Sequence, residues 1–183
     1  MKTPDQYIAA LSALINSADW SSVDRLIEEL SEVRKARKQV FLCGNGGSAA
    51  NAMHIANDFL YGISSAETRG LRVEALSANS SILTCLGNDL GYDDIFSEQL
   101  ATKANPGDLL IALSGSGNSP NIVKALEVGK KMGVTTAGIL GFDGGQCKIL
   151  LDIPIHFHID DMQLSEDLQL IVGHMCMKSL VST

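Results

Sequence analysis

The chain has 183 residues, of which 45% are hydrophobic and 19% charged, and its formal net charge is −7 from 14 Lys and Arg against 21 Asp and Glu. This length predicts one domain, spanning 1–183, with a sizeable core, and the acidic balance argues against a nucleic-acid-binding protein, which would need a basic face. Without the apolar core of a signal peptide or the roughly 18 apolar residues of a membrane span, the sequence predicts a cytoplasmic protein with no nucleic-acid and no membrane partner.

Two amphipathic helices are predicted at the amino-terminal end, over residues 5–16 and 21–38. In the second, apolar residues recur at i, i+3 and i+4, and Ser21 or Ser22 can cap it. Because both helices precede the first strand, their apolar stripe must pack against the sheet or against a partner subunit.

From residue 39 onward, short apolar runs alternate with helical patterns. The predicted strands cover residues 39–43, 72–76, 108–113, 135–140 and 153–159. The predicted helices cover residues 49–60, 80–86, 94–104, 121–132 and 165–180. This alternation predicts an α/β fold in which helices cover both faces of a parallel sheet.

Two loops rich in glycine and serine follow predicted strands and lead into predicted helices: Gly44-Asn-Gly-Gly-Ser48 and Ser114-Gly-Ser-Gly-Asn-Ser119. Ligands of open α/β sheets bind beyond the carboxyl ends of the strands. A helix amino terminus there offers unpaired N–H groups and a positive dipole end, both of which suit phosphate. The two loops are therefore candidate phosphate or substrate sites.

The second loop has the composition of a phosphate cradle. Ser114, Ser116 and Ser119 supply hydroxyl groups, and Gly115 and Gly117 supply accessible N–H groups. No Walker lysine follows, which argues against a nucleotide triphosphatase, and Ser119 breaks a GxGxxG pattern. The alternative is an ordinary strand-to-helix turn with Asn118 or Ser119 as the helix cap.

Four cysteines are spread along the chain without a CxxC pair: Cys43, Cys85, Cys147 and Cys176. This spacing fits neither a disulfide framework nor a zinc finger. We therefore predict buried, reduced thiols.

An ordered series of motifs resembles the phosphoheptose isomerase family of the sugar isomerase (SIS) domain along nearly the whole chain. The matching stretches are Gly44-Asn-Gly-Gly-Ser48, Ala52-Met-His54, Ser81-Ile-Leu-Thr84, Gly87-Asn-Asp89, Ile95-Phe-Ser97, Gly107-Asp108, Ser114-Gly-Ser-Gly-Asn-Ser-Pro-Asn121, Asp143-Gly-Gly145 and His174. The resemblance implies a three-layer α/β/α sandwich with a five-stranded parallel sheet of flavodoxin-like order. It also implies a homotetramer with active sites at subunit interfaces, in which residues 1–38 serve oligomerisation and residues 39–183 form the α/β core.

The same resemblance implies the reaction and its cofactor. Members of the family interconvert sedoheptulose 7-phosphate and a manno-heptose 7-phosphate, often with zinc, in bacterial nucleotide-heptose biosynthesis. Such an isomerisation moves a proton between C1 and C2 through an enediol-type intermediate. It needs a base, an acid and a group that stabilises the developing oxyanion.

Four residues match the metal and catalytic positions of the family: His54, Asp58, Glu166 and His174. His54 and Asp58 are four residues apart on one predicted helix, about 40° apart around its axis. Glu166 and His174 are eight residues apart on the last helix, about 80° apart and two turns along. Two histidines and two carboxylates form a plausible set of ligands for one Zn²⁺ per site.

Each of these residues also has a purely structural interpretation. His54 and His174 could be packed core histidines, and Asp58 could be a solvated charge. Glu166 could be a carboxylate that favours a helix start after Ser165. His156 and His158, which alternate within the fifth predicted strand, are interpreted as structural.

The resemblance assigns further roles by position. Asp58 is the predicted base, with Glu166 as the alternative, and His174 is the predicted acid. The predicted substrate-binding residues are Asn45, Gly46, Gly47, Ser48, Asn88, Asp89, Ser114, Gly115, Ser116, Ser119 and Glu166. The phosphosugar is the expected ligand.

Among the departures from the family pattern, three bear directly on the predicted catalytic, metal and phosphate-binding residues. Asp58 stands where the family usually has glutamate, so its reach is shorter by one methylene. Glu166 stands where the family has a neutral glutamine, and the added charge would strengthen cation binding or move the role of base to Glu166. Gly115 stands where threonine is common, which removes one hydroxyl group from the phosphate loop.

Other functions compete with this one. The chain could isomerise another sugar phosphate, or it could be a non-catalytic SIS protein that regulates a partner such as a replication initiator. A third hypothesis is a sensor that binds a sugar phosphate without converting it. The carboxylate at position 58 and the histidine at position 174 favour the enzyme.

Overall fold

The computed structural model describes residues 3–64 and 68–181. The helices are α1 (Pro4–Ser17), α2 (Ser21–Lys35), α3 (Gly47–Asn57), α4 (Ser80–Asp89), α5 (Ser97–Lys103), α6 (Pro120–Lys131), α7 (Gly145–Leu150) and α8 (Met162–Val181). The strands are β1 (Gln39–Gly44), β2 (Arg72–Ala75), β3 (Leu109–Ser114), β4 (Thr135–Leu140) and β5 (Ile153–His156). A π-helical turn (Asp58–Gly62) continues α3, and a 3₁₀ turn (Tyr92–Asp94) precedes α5.

The five strands form one parallel sheet in the order β2-β1-β3-β4-β5. Val40 of β1 pairs with Leu109 of β3, and Leu109 pairs with Thr135 of β4 on its other side. This is the flavodoxin-like order, so the prediction of fold class is confirmed. The strand order reverses between β1 and β3, and a crevice for ligands opens at the carboxyl ends of such a pair.

Alternate residues of β1, β3 and β4 feed two hydrophobic layers, one on each face of the sheet, whereas the edge strands β2 and β5 contribute only to the first. The first layer packs α2, α3 and α8 against side chains such as Leu42 and Ile111. The second packs α5, α6 and α7 against side chains such as Phe41 and Leu110. Because both faces are covered at the centre of the sheet, β1 and β3 read in the sequence as continuous apolar runs.

The amino-terminal helices pack unequally. Four side chains of α2 are buried, with Leu30 fully enclosed, whereas none of the described residues of α1 is buried. The predicted serine cap of α2 is wrong. Ser21 is already the first helical residue, and the side chain of Asp19 accepts its backbone N–H.

The carboxy-terminal third differs from the sequence prediction in three places. Helix α8 begins at Met162 and not at residue 165, because Asp161 accepts the N–H of Leu164 and caps the helix. Strand β5 ends at His156 and not at residue 159. Helix α7 was not predicted, because six residues are too few to show a helical period.

Three of the four cysteines are buried, as predicted, and the prediction is wrong for Cys85, which is exposed. Burial raises the pKa of Cys147 to about 11 and that of Cys176 to about 12, so these thiols stay protonated near neutral pH. The Cys85 thiol donates a hydrogen bond to Asp89, which raises its pKa as well. Among the described residues, no helix combines the length and the apolarity that crossing a bilayer requires.

Candidate active site

Three of the predicted site residues meet in one cluster. Nε2 of His54 lies 3.0 Å from Nε2 of His174, and each of these nitrogens lies 3.5 Å from Oδ2 of Asp58. The imidazole side chains are about half exposed (50% and 49%), whereas the side chain of Asp58 is 16% exposed. The cluster therefore opens to one side, where a small molecule can reach it.

Close packing of α3 on α8 brings the cluster together. Gly173 precedes His174, and a Cβ atom at Gly173 would lie 2.7 Å from Cγ1 of Ile55, which follows His54. The missing side chain lets the two helices approach closely. Asp58 lies four residues after His54, at the start of the π-helical turn, so both side chains project toward α8.

The cluster has the donor set and the spacing of a metal site. A tetrahedral zinc ion with ligand bonds of 2.0–2.1 Å separates its ligand atoms by about 3.3 Å. The three observed distances, 3.0, 3.5 and 3.5 Å, bracket that value. Among the described residues, this is the one group of three or more His, Cys, Asp or Glu side chains that could hold a metal ion together. Three protein ligands would leave a coordination position open, as in catalytic zinc sites.

Glu166 lies outside this group of three. Its carboxylate lies directly over Gly47 at the first turn of α3, where a Cβ atom would be 2.3 Å from Oε1. Because α8 begins at Met162, Glu166 is in the second turn of that helix and not at its start. Asn51 donates a hydrogen bond to the backbone carbonyl of Glu166, which ties this turn to α3.

A pocket of about 250 Å³ separates the two glycine- and serine-rich loops. Its lining residues are Asn45, Gly46, Gly47, Ser48, Leu113, Ser114, Gly115, Ser116, Ser119, Met162 and Glu166. Most predicted substrate-binding residues thus share one pocket. It lies at the carboxyl ends of β1 and β3, where the strand order reverses.

Loop 114–119 offers hydroxyl donors to an anion, but the prediction of an accessible N–H at Gly117 is wrong, because that group is bonded within the loop. The Ser114 hydroxyl accepts the N–H of Gly117, and the Ser116 hydroxyl accepts the N–H of Asn118. Each hydroxyl still has its own hydrogen to donate to an anion. Ser119 is the residue before α6, and its side chain makes no capping bond to any described residue. The structure thus leaves the Ser119 hydroxyl available to a ligand.

The predicted sugar-binding residues are not all in the pocket. Asn45 lines it, but its side-chain carbonyl already accepts hydrogen bonds from Asn121 and from the Tyr92 hydroxyl. Asn88 and Asp89 are exposed at the end of α4, bonded to each other, and neither lines this pocket. Their role in binding the sugar stays a prediction.

The sequence did not reveal the residues that hold the pocket-lining residues in place through hydrogen bonds and packing. Gln169 is 1% exposed and donates to the Ser48 hydroxyl, and Asn121 is fully buried against Asn45. Met162 lies on Gly115, whose Cβ atom would be 2.5 Å from the sulfur. A polar residue on the apolar face of a helix, as at Gln169, was the signal that could have identified this support.

Comparisons with known proteins identify the family of this chain. A family model for the SIS domain matches residues 6–141. A phosphoheptose isomerase from Trichlorobacter lovleyi is 43% identical over 152 residues, which cover 83% of this chain and 77% of that protein. A phosphoheptose isomerase from Aliarcobacter butzleri is 42% identical over 176 residues, covering 89% of this chain and 93% of the relative.

Solved structures extend the similarity to the fold. The phosphoheptose isomerase of Neisseria gonorrhoeae superposes with a TM-score of 0.90 at 25% identity, over 98% of this chain and 97% of that one. The phosphoheptose isomerase of Francisella tularensis superposes equally well, with a TM-score of 0.90 over 98% and 94% of the two chains, at 22% identity. The chain therefore belongs to the SIS domain family and, within it, to the phosphoheptose isomerases.

Proposed function

We propose that this protein interconverts sedoheptulose 7-phosphate and D-glycero-D-manno-heptose 7-phosphate, as a step of bacterial nucleotide-heptose biosynthesis. Relatives with about 40% identity over most of the chain carry the name phosphoheptose isomerase. The reaction is an aldose–ketose isomerisation of a phosphosugar. We also propose that it takes place in the cytoplasm.

One observation carries this proposal: the phosphate loop (residues 114–119) and the acid–base cluster (His54, Asp58 and His174) lie near opposite ends of α3. The helix begins in the pocket at Gly47 and reaches His54 seven residues later, about 10 Å along its axis. In a heptose 7-phosphate, the phosphate and the reacting C1–C2 unit also occupy opposite ends of the open chain. The site can therefore bind the phosphate at one end while the C1–C2 unit reaches the acid–base cluster at the other.

Glu166 favours one orientation of the substrate. Its carboxylate lies at the amino terminus of α3, where N–H groups and the helix dipole would otherwise attract phosphate. A second anion there would be repelled. We therefore assign the phosphate to the loop of Ser114, Ser116 and Ser119, and the polyol chain to the region between this loop and α3.

In the direction from ketose to aldose, we assign Asp58 as the base that removes a proton from C1. Of the three clustered side chains, Asp58 is the least exposed, and its Oδ2 faces both imidazoles. Asp58 returns the proton to C2 of the enediol, while His174 gives a proton to the C2 oxygen and takes one back from the C1 hydroxyl as the aldehyde forms. Glu166, in the pocket itself, is the alternative base.

The donor set fits a zinc ion, and we propose that His54, Asp58 and His174 hold it. Glu166, predicted as a fourth ligand, lies over Gly47 and outside this group, so one coordination position is left for the substrate. When bound, the ion would act as a Lewis acid that stabilises negative charge on a sugar oxygen. Without it, the two imidazoles would share one proton between their facing Nε2 atoms and remain oriented by Asp58.

The activity test compares metal-free and zinc-loaded protein in the conversion of sedoheptulose 7-phosphate to the aldose. We expect about one zinc per chain after loading, and a rate at least tenfold above that of the metal-free protein. Aldose product is measured by proton NMR, and zinc by atomic emission. Absence of product with and without zinc would overturn the proposal. Retained phosphosugar binding would then favour a sensor, and recovery of an initiator protein would favour a regulator.

We propose a homotetramer with sites at subunit interfaces, in which residues 1–38 serve assembly and residues 39–183 form the α/β core. Exposed apolar side chains lie beside the cluster on α3 and its π-helical turn, with Leu60 57% and Tyr61 80% exposed. Helix α1 has no buried residue, although its Tyr7 hydroxyl bonds to Asp167 of α8 at 2.5 Å. A second copy covering these surfaces would bury them and shield the half-exposed imidazoles.

Tyr61→Asp tests this assembly. A carboxylate in an apolar interface is strongly unfavourable, so we expect the wild type to run as a tetramer and the variant as smaller species. Multi-angle light scattering after gel filtration measures the mass. The control is Ile149→Asp, because Ile149 is 83% exposed on α7, across the sheet from α3. A monomeric wild type, or an unchanged tetramer in Tyr61→Asp, would contradict the proposal.

A further inference from the structure

Residues 141–146, which comprise the loop after β4 and the first two residues of α7 and are called loop 141–146, pack behind the phosphate loop and support it. The N–H of Gly141 donates to the Gly115 carbonyl, and that of Gln146 donates to the Asn118 side chain. At the start of α7, the N–H of Cys147 donates to the Gly117 carbonyl. Three anchors along loop 114–119 therefore depend on the position of loop 141–146.

This supporting loop contains an unfavourable backbone conformation. Phe142 has a φ of +46°, in the left-handed region that a bulky side chain rarely adopts. Such a conformation persists where surrounding contacts hold it in place. Two contacts do so here: the N–H of Phe142 donates to the Ile159 carbonyl, and its carbonyl faces Nε2 of His156 at 3.1 Å.

Both ring nitrogens of His156 are engaged. The carbonyl of Phe142 can only accept, so Nε2 carries the hydrogen. The ammonium of Lys148 can only donate, so Nδ1, at 3.1 Å, is the acceptor. The partners thus select a neutral imidazole with its hydrogen on Nε2, directed at the strained residue. The ring of His158 packs edge-on against this imidazole, with ring centroids 5.9 Å apart.

We propose that His156 is a positioning residue for the phosphate site: its Nε2–H bond holds Phe142, and through loop 141–146 it sets the shape of the cradle. The inference rests on the proposed function, because it takes loop 114–119 to bind the phosphate of the substrate. His156 touches neither the pocket nor the acid–base cluster. Its effect therefore falls on phosphate binding and not on proton transfer.

A pair of near-isosteric variants isolates the Nε2 bond. Glutamine places its amide nitrogen near the position of Nε2, so His156→Gln keeps a donor for the Phe142 carbonyl. Asparagine is shorter and reaches only the position of Nδ1, so His156→Asn loses that donor. We expect His156→Asn to raise the KM for the sugar phosphate and the inhibition constant of inorganic phosphate by roughly 5- to 10-fold. The kcat should stay within about twofold, and His156→Gln should resemble the wild type.

Steady-state kinetics with inorganic phosphate as the competing probe decide the outcome. If His156→Asn leaves both constants unchanged, or His156→Gln is equally impaired, the inference is overturned. If His156→Asn does not fold, Lys148→Met replaces it, since it removes the donor to Nδ1 and leaves the ring in place. That variant should raise both constants by about two- to threefold, and unchanged constants would again overturn the inference. A wild type that neither turns over the sugar phosphate nor is inhibited by phosphate would instead refute the proposed function.

Discussion

Asp58→Asn is expected to lower kcat by about 10²- to 10⁴-fold, the range that a general base contributes. The amide cannot accept the proton from C1, yet it nearly preserves the volume of the carboxylate between the two imidazoles. His174→Gln should lose a similar factor, because glutamine cannot act as an acid. Rates of aldose formation measure both effects, and zinc content is determined on the same samples.

Glu166→Gln is the matched control for the base assignment. It also replaces a carboxylate by its amide, but in the pocket and away from the described cluster of His54, Asp58 and His174. We expect it to keep kcat within about tenfold of the wild type. If Glu166→Gln loses the larger factor while Asp58→Asn retains activity and zinc, Glu166 is the base. Zinc loss in Asp58→Asn with full activity restored by added metal would contradict Asp58 as the base.

Gly117→Ala is expected to lower the free energy of unfolding by about 2–4 kcal/mol. Gly117 has a φ of +65°, and a Cβ atom there would lie 2.0 Å from the carbonyl oxygen of Gly144. The backbone of loop 141–146 must move to relieve this contact, so the phosphate loop changes shape as well. Urea denaturation measures the stability, and the KM for the sugar phosphate should rise by at least tenfold.

Gly133→Ala is the control for the backbone conformation alone. Gly133 follows α6 with a φ of +74°, and its Cβ atom would be 3.5 Å from Pro106, an ordinary contact. We expect a loss of about 1 kcal/mol, from the left-handed conformation only, and no change in KM. Equal losses in the two variants would show that the contact with Gly144 is relieved without cost.

The strands of the sheet were predictable because each is marked by a short apolar run within its own segment of the sequence. Five apolar runs separated by helical patterns can form only a few right-handed parallel arrangements. The ends of elements were less predictable where one polar side chain outside the apolar pattern decides them, as the cap Asp161 does for α8. Helix α7 has only six residues, so it leaves no periodic signal in the sequence.

The candidate site was predictable where its residues share one element. His54 and Asp58 follow the four-residue spacing of a helix, and the structure brings them together. Their contact with His174 depends on how closely α8 approaches α3, which Gly173 permits and no local pattern shows. Likewise, the position of Glu166 over Gly47 depends on the packing of two elements more than a hundred residues apart in the sequence.

The two hydrophobic layers place the two ends of the site on opposite faces of the sheet, so a bound substrate would contact both layers. The acid–base cluster belongs to α3 and α8 on one face of the sheet, whereas the phosphate loop leads into α6 on the opposite face. With the proposed assignment, a sugar phosphate bound at both ends would join the two layers across the carboxyl edge of the sheet. The bound molecule would link the layers non-covalently, so binding would raise the free energy needed to open either layer separately. Occupancy of the site would thus make the unfolding of the two halves more cooperative.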